Sequence, residues 1–198
     1  MSKGTDTRQE ILSRAVGLFN KHGYAGVSMS QIMDVTGLKK GGIYNHFKSK
    51  EQLALDVFEF AIGKVRERFV EGLQGKKTAP ERLHAILAIM ARYVSDPPVE
   101  GGCPIYNTAV DSLHSHPALQ ARARAGMEEL QGYIRVTVEK GIARNELRAG
   151  TSPDQVAAIL VSTLEGALMM SKLYNDASYM SRAVQHLASY IDEKLSAT

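Results

Sequence analysis

Between Val27 and Lys50 the chain reads V-S-M-S-Q-I-M-D-V-T-G-L-K-K-G-G-I-Y-N-H-F-K-S-K, and no other stretch limits its fold so narrowly. Ser28 and Gln31 have the spacing of a capping box, and Val27 with Ile32 that of a hydrophobic staple, so a helix starts at Ser28. It is short, because Gly37 permits the positive φ of a sharp turn. A second helix from about Lys39 to His46 is basic and aromatic. Ile43 and Phe47, four apart, face inward and hold it down. Two short helices around a tight turn form the pattern that lays its second helix in a DNA groove.

Charge agrees with that pattern. Residues 1–50 carry eight Lys/Arg against three Asp/Glu, a net of +5, within a whole-chain charge of +3. From Val35 to Lys50 there is no acid at all. A basic head on a weakly acidic body fits a polyanion-binding end joined to a body that binds something else. Lys39, Lys40, Lys48 and Lys50 supply charge for phosphates, and Tyr44 and His46 can hydrogen-bond phosphate oxygens. Asn45 suits base reading through its amide. Gly41 and Gly42 each weaken the helix by roughly 1 kcal/mol relative to Ala, a cost offset by close approach to DNA. Lys50 falls in the first turn of the next helix, where a cation opposes the dipole. That conflict points to an anion nearby.

The rest of the chain reads as helices. Thr7-Arg8-Gln9-Glu10 has capping-box spacing and is expected to start the first helix, which ends at His22-Gly23. Ser49-x-x-Gln52 opens a long apolar helix. Further helices are expected from about Pro80 to Val94, from Pro104, from Pro117, from Thr151-Ser152-Pro153 and from about Ser178. No alternating strand pattern appears. The expected fold is all-α, about nine helices. A three-helix DNA-binding domain (1–50) precedes a larger helical effector-binding and dimerisation domain (51–198).

The single cysteine forbids an intramolecular disulfide and suits a reducing compartment. No apolar run reaches the roughly 18 residues of a membrane span, and the first ten residues lack the apolar core of a signal peptide. A cytoplasmic protein without membrane association is expected. No metal-ligand spacing, phosphate loop or nucleophile elbow accompanies Cys103, Asp111 or His114, so neither enzyme activity, cofactor nor metal is expected.

The segment Gly37-Leu38-Lys39-Lys40-Gly41-Gly42-Ile43-Tyr44-Asn45-His46-Phe47-Lys48-Ser49-Lys50-Glu51 resembles the signature of the tetracycline-repressor-like (TetR) family. Phe19, Gly23, Tyr24 and Ser28 continue the likeness. The resemblance implies a homodimeric repressor whose C-terminal domain binds a small molecule that releases it from its operator. It places Lys40, Tyr44, His46 and Lys50 on phosphates and Ser28, Lys39, Gly41, Gly42 and Asn45 on DNA. Gly42 stands where the family commonly has Thr or Ser, so a hydroxyl contact is missing.

Helix-turn-helix proteins read palindromic double-stranded sites as dimers. The last two helices, with Val161, Leu164, Leu168, Val184, Leu187 and Ile191, are the expected interface, as a four-helix bundle. An apolar, adaptable small-molecule pocket is expected among Met90, Tyr93, Cys103, Tyr106, Val110, Met127, Leu130, Ile134 and Met169. Asn107, Asp111, His114 and Glu165 are its candidate polar groups. Cys103, between Gly101-Gly102 and Pro104, is expected at a helix N-cap, where a thiolate is stabilised. A repressor sensing oxidants or electrophiles through Cys103 is the alternative reading.

Overall fold

The computed structural model describes residues 3–197. Met1 and Ser2, part of the stretch read as lacking a signal peptide, lie outside them. Among the described residues there are nine α-helices: α1 (Lys3–Gly26), α2 (Met29–Thr36), α3 (Lys40–Tyr44), α4 (Lys50–Leu73), α5 (Ala79–Ala91), α6 (Pro104–Ser112), α7 (Pro117–Ala143), α8 (Pro153–Tyr174) and α9 (Ser178–Tyr190). A 3-10 turn follows α5 and a π-turn follows α9. The all-α expectation holds: the lone extended pairing among these residues is an isolated bridge between Leu147 and Ser196.

Local chemistry explains most boundaries. Ser28 caps α2 with its hydroxyl on the Gln31 N–H, while the Gln31 side chain accepts from the Ser28 N–H at 2.8 Å. Thr78 and Glu81 make the same reciprocal pair at α5. Ser49 accepts from Gln52 N–H at α4, and Ser152 from Gln155 N–H at α8. Gly37 closes α2 at φ 70°. The start of α1 differs from expectation. The helix is already formed at Lys3, so Thr7 lies inside it and opens nothing. Helix α1 does break at Gly23 (φ 68°, ψ 177°).

The chain forms two compact units, each built from two stretches. The first comprises residues 1–65 and 98–126. Its core joins Ile11, Leu12 and Ala15 of α1, Val27, Ile32 of α2, Ile43 of α3, Phe47, and Leu53 and Val57 of α4, all buried. Burial of each large side chain contributes about 1.5–3 kcal/mol. Helix α6 packs on α1 through a polar seam. The Asn20 amide donates to the carbonyls of Glu100 (2.9 Å) and Gly102 (3.2 Å). Asn107 donates back to Asn20 O (3.1 Å) and to Gly101 O (2.9 Å).

The second unit comprises residues 66–97 and 127–198. Helices α8 and α9 form a hairpin whose turn is set by Asn175 at φ 50°. Inside it, Ser171 Oγ accepts the Met180 N–H at 3.1 Å. Helix α5 packs against this hairpin, with Leu83, Ile86, Leu87 and Met90 fully buried. By length and composition α8 would qualify to cross a membrane, where the sequence was expected to hold no such run. Val156, Leu160, Val161, Leu164 and Leu168 are buried in the unit, and this core accounts for the apolarity of α8.

Candidate nucleic-acid interface

Helix α3 and the residues flanking it carry Lys39, Lys40, Lys48 and Lys50, with no acid between Val35 and Lys50. Ile43 and Phe47 are each 1% exposed, so one side of α3 is locked in the core. Lys39, Lys40, Gly41, Tyr44 and Asn45 are exposed on the other side, with Ser28 exposed at the N-cap of α2. Gly42 and His46 are half-buried. The Lys40 ammonium lies 5.8 Å from the Tyr44 ring centroid, which places a cation and a phenol hydroxyl side by side. A methyl group added at Gly41 would meet nothing within 4 Å, and one at Gly42 would meet Leu38 at an ordinary 3.6 Å. No packing among the described residues requires glycine at either position.

Lys50 is engaged differently from Lys40. Its ammonium donates to the main-chain carbonyl of Tyr24 at 2.7 Å and sits 4.4 Å from the Tyr24 ring centroid. Partial burial lowers its pKa from the ordinary lysine value. The conflict between Lys50 and the α4 dipole thus has a resolution within the chain: a carbonyl freed at the break in α1 takes the charge. Two further N–H donors remain on the ammonium.

Tyr24 collects other partners that spacing could not reveal. Its N–H donates to Asp111 Oδ2 of α6 at 2.9 Å, and the His116 ring meets its own edge-on at 4.5 Å. His116 caps α7, its Nδ1 accepting the Leu119 N–H at 3.2 Å. Gly23 must be glycine here. Besides the positive φ, an added Cβ would lie 2.2 Å from Asp111 Oδ1. Asp111, expected as a ligand-orienting group, instead holds the end of α1.

The residues expected to line an effector pocket fall in different units. Cys103, Tyr106, Asn107 and Val110 belong to the first. Cys103 is the N-cap residue of α6, as expected, but its side chain makes no capping bond and is 3% exposed. Asn107 is spent on the seam with α1, and Val110 is exposed. Met90, Tyr93, Met127, Leu130, Ile134, Glu165 and Met169 belong to the second unit. There Met90, Tyr93, Ile134 and Glu165 are buried, Met127 and Leu130 half-buried, and Met169 exposed.

Five of the six residues expected at a dimer interface, Val161, Leu164, Leu168, Leu187 and Ile191, are buried in the unit's own core, and Val184 is half-buried. The face of α8 left open carries Ser162, Gly166, Met169 and Leu173, with Leu173 68% exposed. Tyr174 stacks on Tyr179 at 5.4 Å beside it.

Comparison with known proteins fits this architecture. The family model of bacterial regulatory proteins of the tetR family matches residues 11–57, and that of the tetracyclin repressor-like C-terminal domain matches residues 79–187. The crystal structure of a TetR transcriptional regulator from Chloroflexus aurantiacus is 44% identical, with both chains covered in full and a TM-score of 0.97. The HTH-type transcriptional regulator LmrA of Bacillus subtilis is 26% identical over 197 residues, 98% of this chain and 99% of LmrA. The HTH-type transcriptional repressor AcnR of Corynebacterium glutamicum is 24% identical over 176 residues, 89% of this chain and 86% of AcnR. The chain belongs to the TetR family of transcriptional regulators. It is a DNA-binding regulator with a tetracyclin-repressor-like C-terminal domain, and not an enzyme.

Proposed function

We propose that the chain acts in the bacterial cytoplasm as a homodimeric repressor of a palindromic operator, released by a small molecule bound in its body. The observation that carries this reading is the two-sidedness of α3. Ile43 and Phe47 are buried while Lys39, Lys40, Gly41, Tyr44 and Asn45 stand exposed together. Lys40, Tyr44, His46 and a remaining donor of Lys50 take phosphates on either side of a major groove. Asn45 reads a base edge, and Ser28, Lys39, Gly41 and Gly42 approach the DNA.

Residues 51–198 carry effector binding and dimerisation. Met90, Tyr93, Ile134 and Glu165, apolar and acidic groups buried in one unit, support a pocket for the effector there. The second copy docks on the open face of α8, through Met169 and Leu173 beside α9, because the apolar residues deeper in the hairpin already close the protomer's core.

A gel shift on the chain's own promoter DNA at several salt concentrations tests the reading. Sequence-specific binding should weaken steeply with salt. Lys40→Ala should lower affinity for every sequence, whereas Asn45→Ala should relax discrimination between sites. If both variants bind as the wild type does, α3 is not the reading helix.

A further inference from the structure

We propose that a cavity between the start of α5 and the C-terminal turns of α7 binds a small doubly charged oxyanion: inorganic phosphate or the phosphate group of a small metabolite. The cavity is about 130 Å³, well below the roughly 300–1,000 Å³ of pockets that hold drug-sized ligands. Four cations line it, Lys77 and Arg82 from the α5 side and Lys140 and Arg144 from the α7 side, against one carboxylate, Glu146. That carboxylate is already used, since Glu146 Oε2 accepts the Ala79 N–H at the α5 N-terminus at 2.7 Å.

Among the described residues Lys77, Lys140 and Arg144 enter no ion pair within 4.0 Å. Helix dipoles account for only half of this arrangement. Cations suit the C-terminal end of α7, but Lys77 stands at the N-terminal end of α5, where a positive charge is disfavoured. Like charges gathered from two helices around one cavity repel, and an anion between them removes the repulsion.

Neutral donors complete the site. Arg82 Nη1 donates to the Tyr133 hydroxyl at 2.8 Å, which leaves the phenol proton to point elsewhere. Close packing forms the floor. A Cβ at Gly141 would come within 2.5 Å of Ala79 Cβ, so α7 must lie tight on the first turn of α5. Guanidinium, ammonium and phenol donors around a space of this size match the oxygens of a phosphate better than those of a planar monocarboxylate.

Calorimetry and thermal melts of the full chain in sodium phosphate, at constant ionic strength made up with chloride, test the site. Saturable binding and a saturable rise in Tm are expected at millimolar phosphate. Lys140→Gln with Arg144→Gln should weaken phosphate affinity tenfold or more. Lys77→Gln, one residue before the α5 N-cap, should weaken it severalfold. All four side chains are dispensable for the core, so circular dichroism and DNA affinity in phosphate-free buffer should not change. Glycerol phosphate in parallel separates the sources. Tighter binding than free phosphate assigns a phosphorylated metabolite, and weaker binding assigns phosphate itself. Variants that retain wild-type phosphate affinity overturn the proposal. A rise in Tm that climbs without saturating and is equal in all proteins does so too, since that is the generic salting effect of phosphate.

Discussion

The Lys50 ammonium and the Tyr24 carbonyl, 2.7 Å apart, join the first turn of α4 to the broken end of α1. This bond separates two lysines of one basic segment into different jobs. Lys50→Ala should destabilise the protein by about 1–2 kcal/mol, a charge-assisted hydrogen bond discounted for partial exposure. Lys40→Ala should leave stability within about 0.5 kcal/mol. In DNA titrations Lys40→Ala should reduce the slope of log affinity against log salt by about 0.9, and Lys50→Ala by less. Equal melting temperatures for the two variants would refute the division.

The break in α1 makes Gly23 and Asp111 a coupled pair. Gly23→Ala is forced into φ 68°, ψ 177°, backbone that essentially only glycine adopts and that costs roughly 1–3 kcal/mol otherwise, and it drives a methyl into the Asp111 carboxylate. Asp111→Ala alone removes the acceptor of the Tyr24 N–H at a cost of about 1–3 kcal/mol. The double variant should be more stable than the sum of the single losses predicts, because the collision vanishes with the carboxylate. Urea denaturation of the four proteins gives the coupling energy directly; additivity within about 0.3 kcal/mol would mean that the two groups do not collide.

Cys103 sits at a helix N-terminus yet is buried. Native protein should therefore react with iodoacetamide at least tenfold more slowly than urea-unfolded protein, and the wild-type protein should keep its DNA affinity after peroxide treatment, as Cys103→Ala does. Fast alkylation coupled to loss of DNA binding would instead revive the sensing role.

How far the sequence foretold these features depends on the range of the interaction. The caps at Ser28 and Ser49, the turn at Gly37 and the inward pair Ile43 and Phe47 are local, written in spacings of three or four residues. The same local rule misplaced the start of α1. A capping-box pattern at Thr7 cannot prevent a helix from beginning earlier. Partners 80 or more residues away, such as Asp111 on Tyr24 and Asn107 on Asn20, leave no periodic trace. The α8 residues show a different limit. Leu164 and Leu173 are equally apolar, and periodicity cannot decide which stripe closes the protomer's own core and which remains open. Only the packing of α5 and α9 settles it.

Glu81 gives a pH dependence with a definite sign. Hydrogen bonds from the Thr78 N–H, and then the Lys77 N–H, hold its carboxyl below the usual glutamate range. A depressed carboxyl contributes stability that is fully present above its unfolded value, about 4.3, and is lost as pH falls through the lower folded value. Glu129 on Arg66 and Asp96 on Arg68 act in the same direction within the same unit. Glu81→Gln keeps a capping-box acceptor but cannot titrate. Its Tm at pH 7 should fall by no more than a few degrees. Between pH 5 and about pH 3 its melting temperature should decline less steeply than that of the wild type. Parallel declines in a pH series of thermal melts would show that the α5 cap takes no part in acid unfolding.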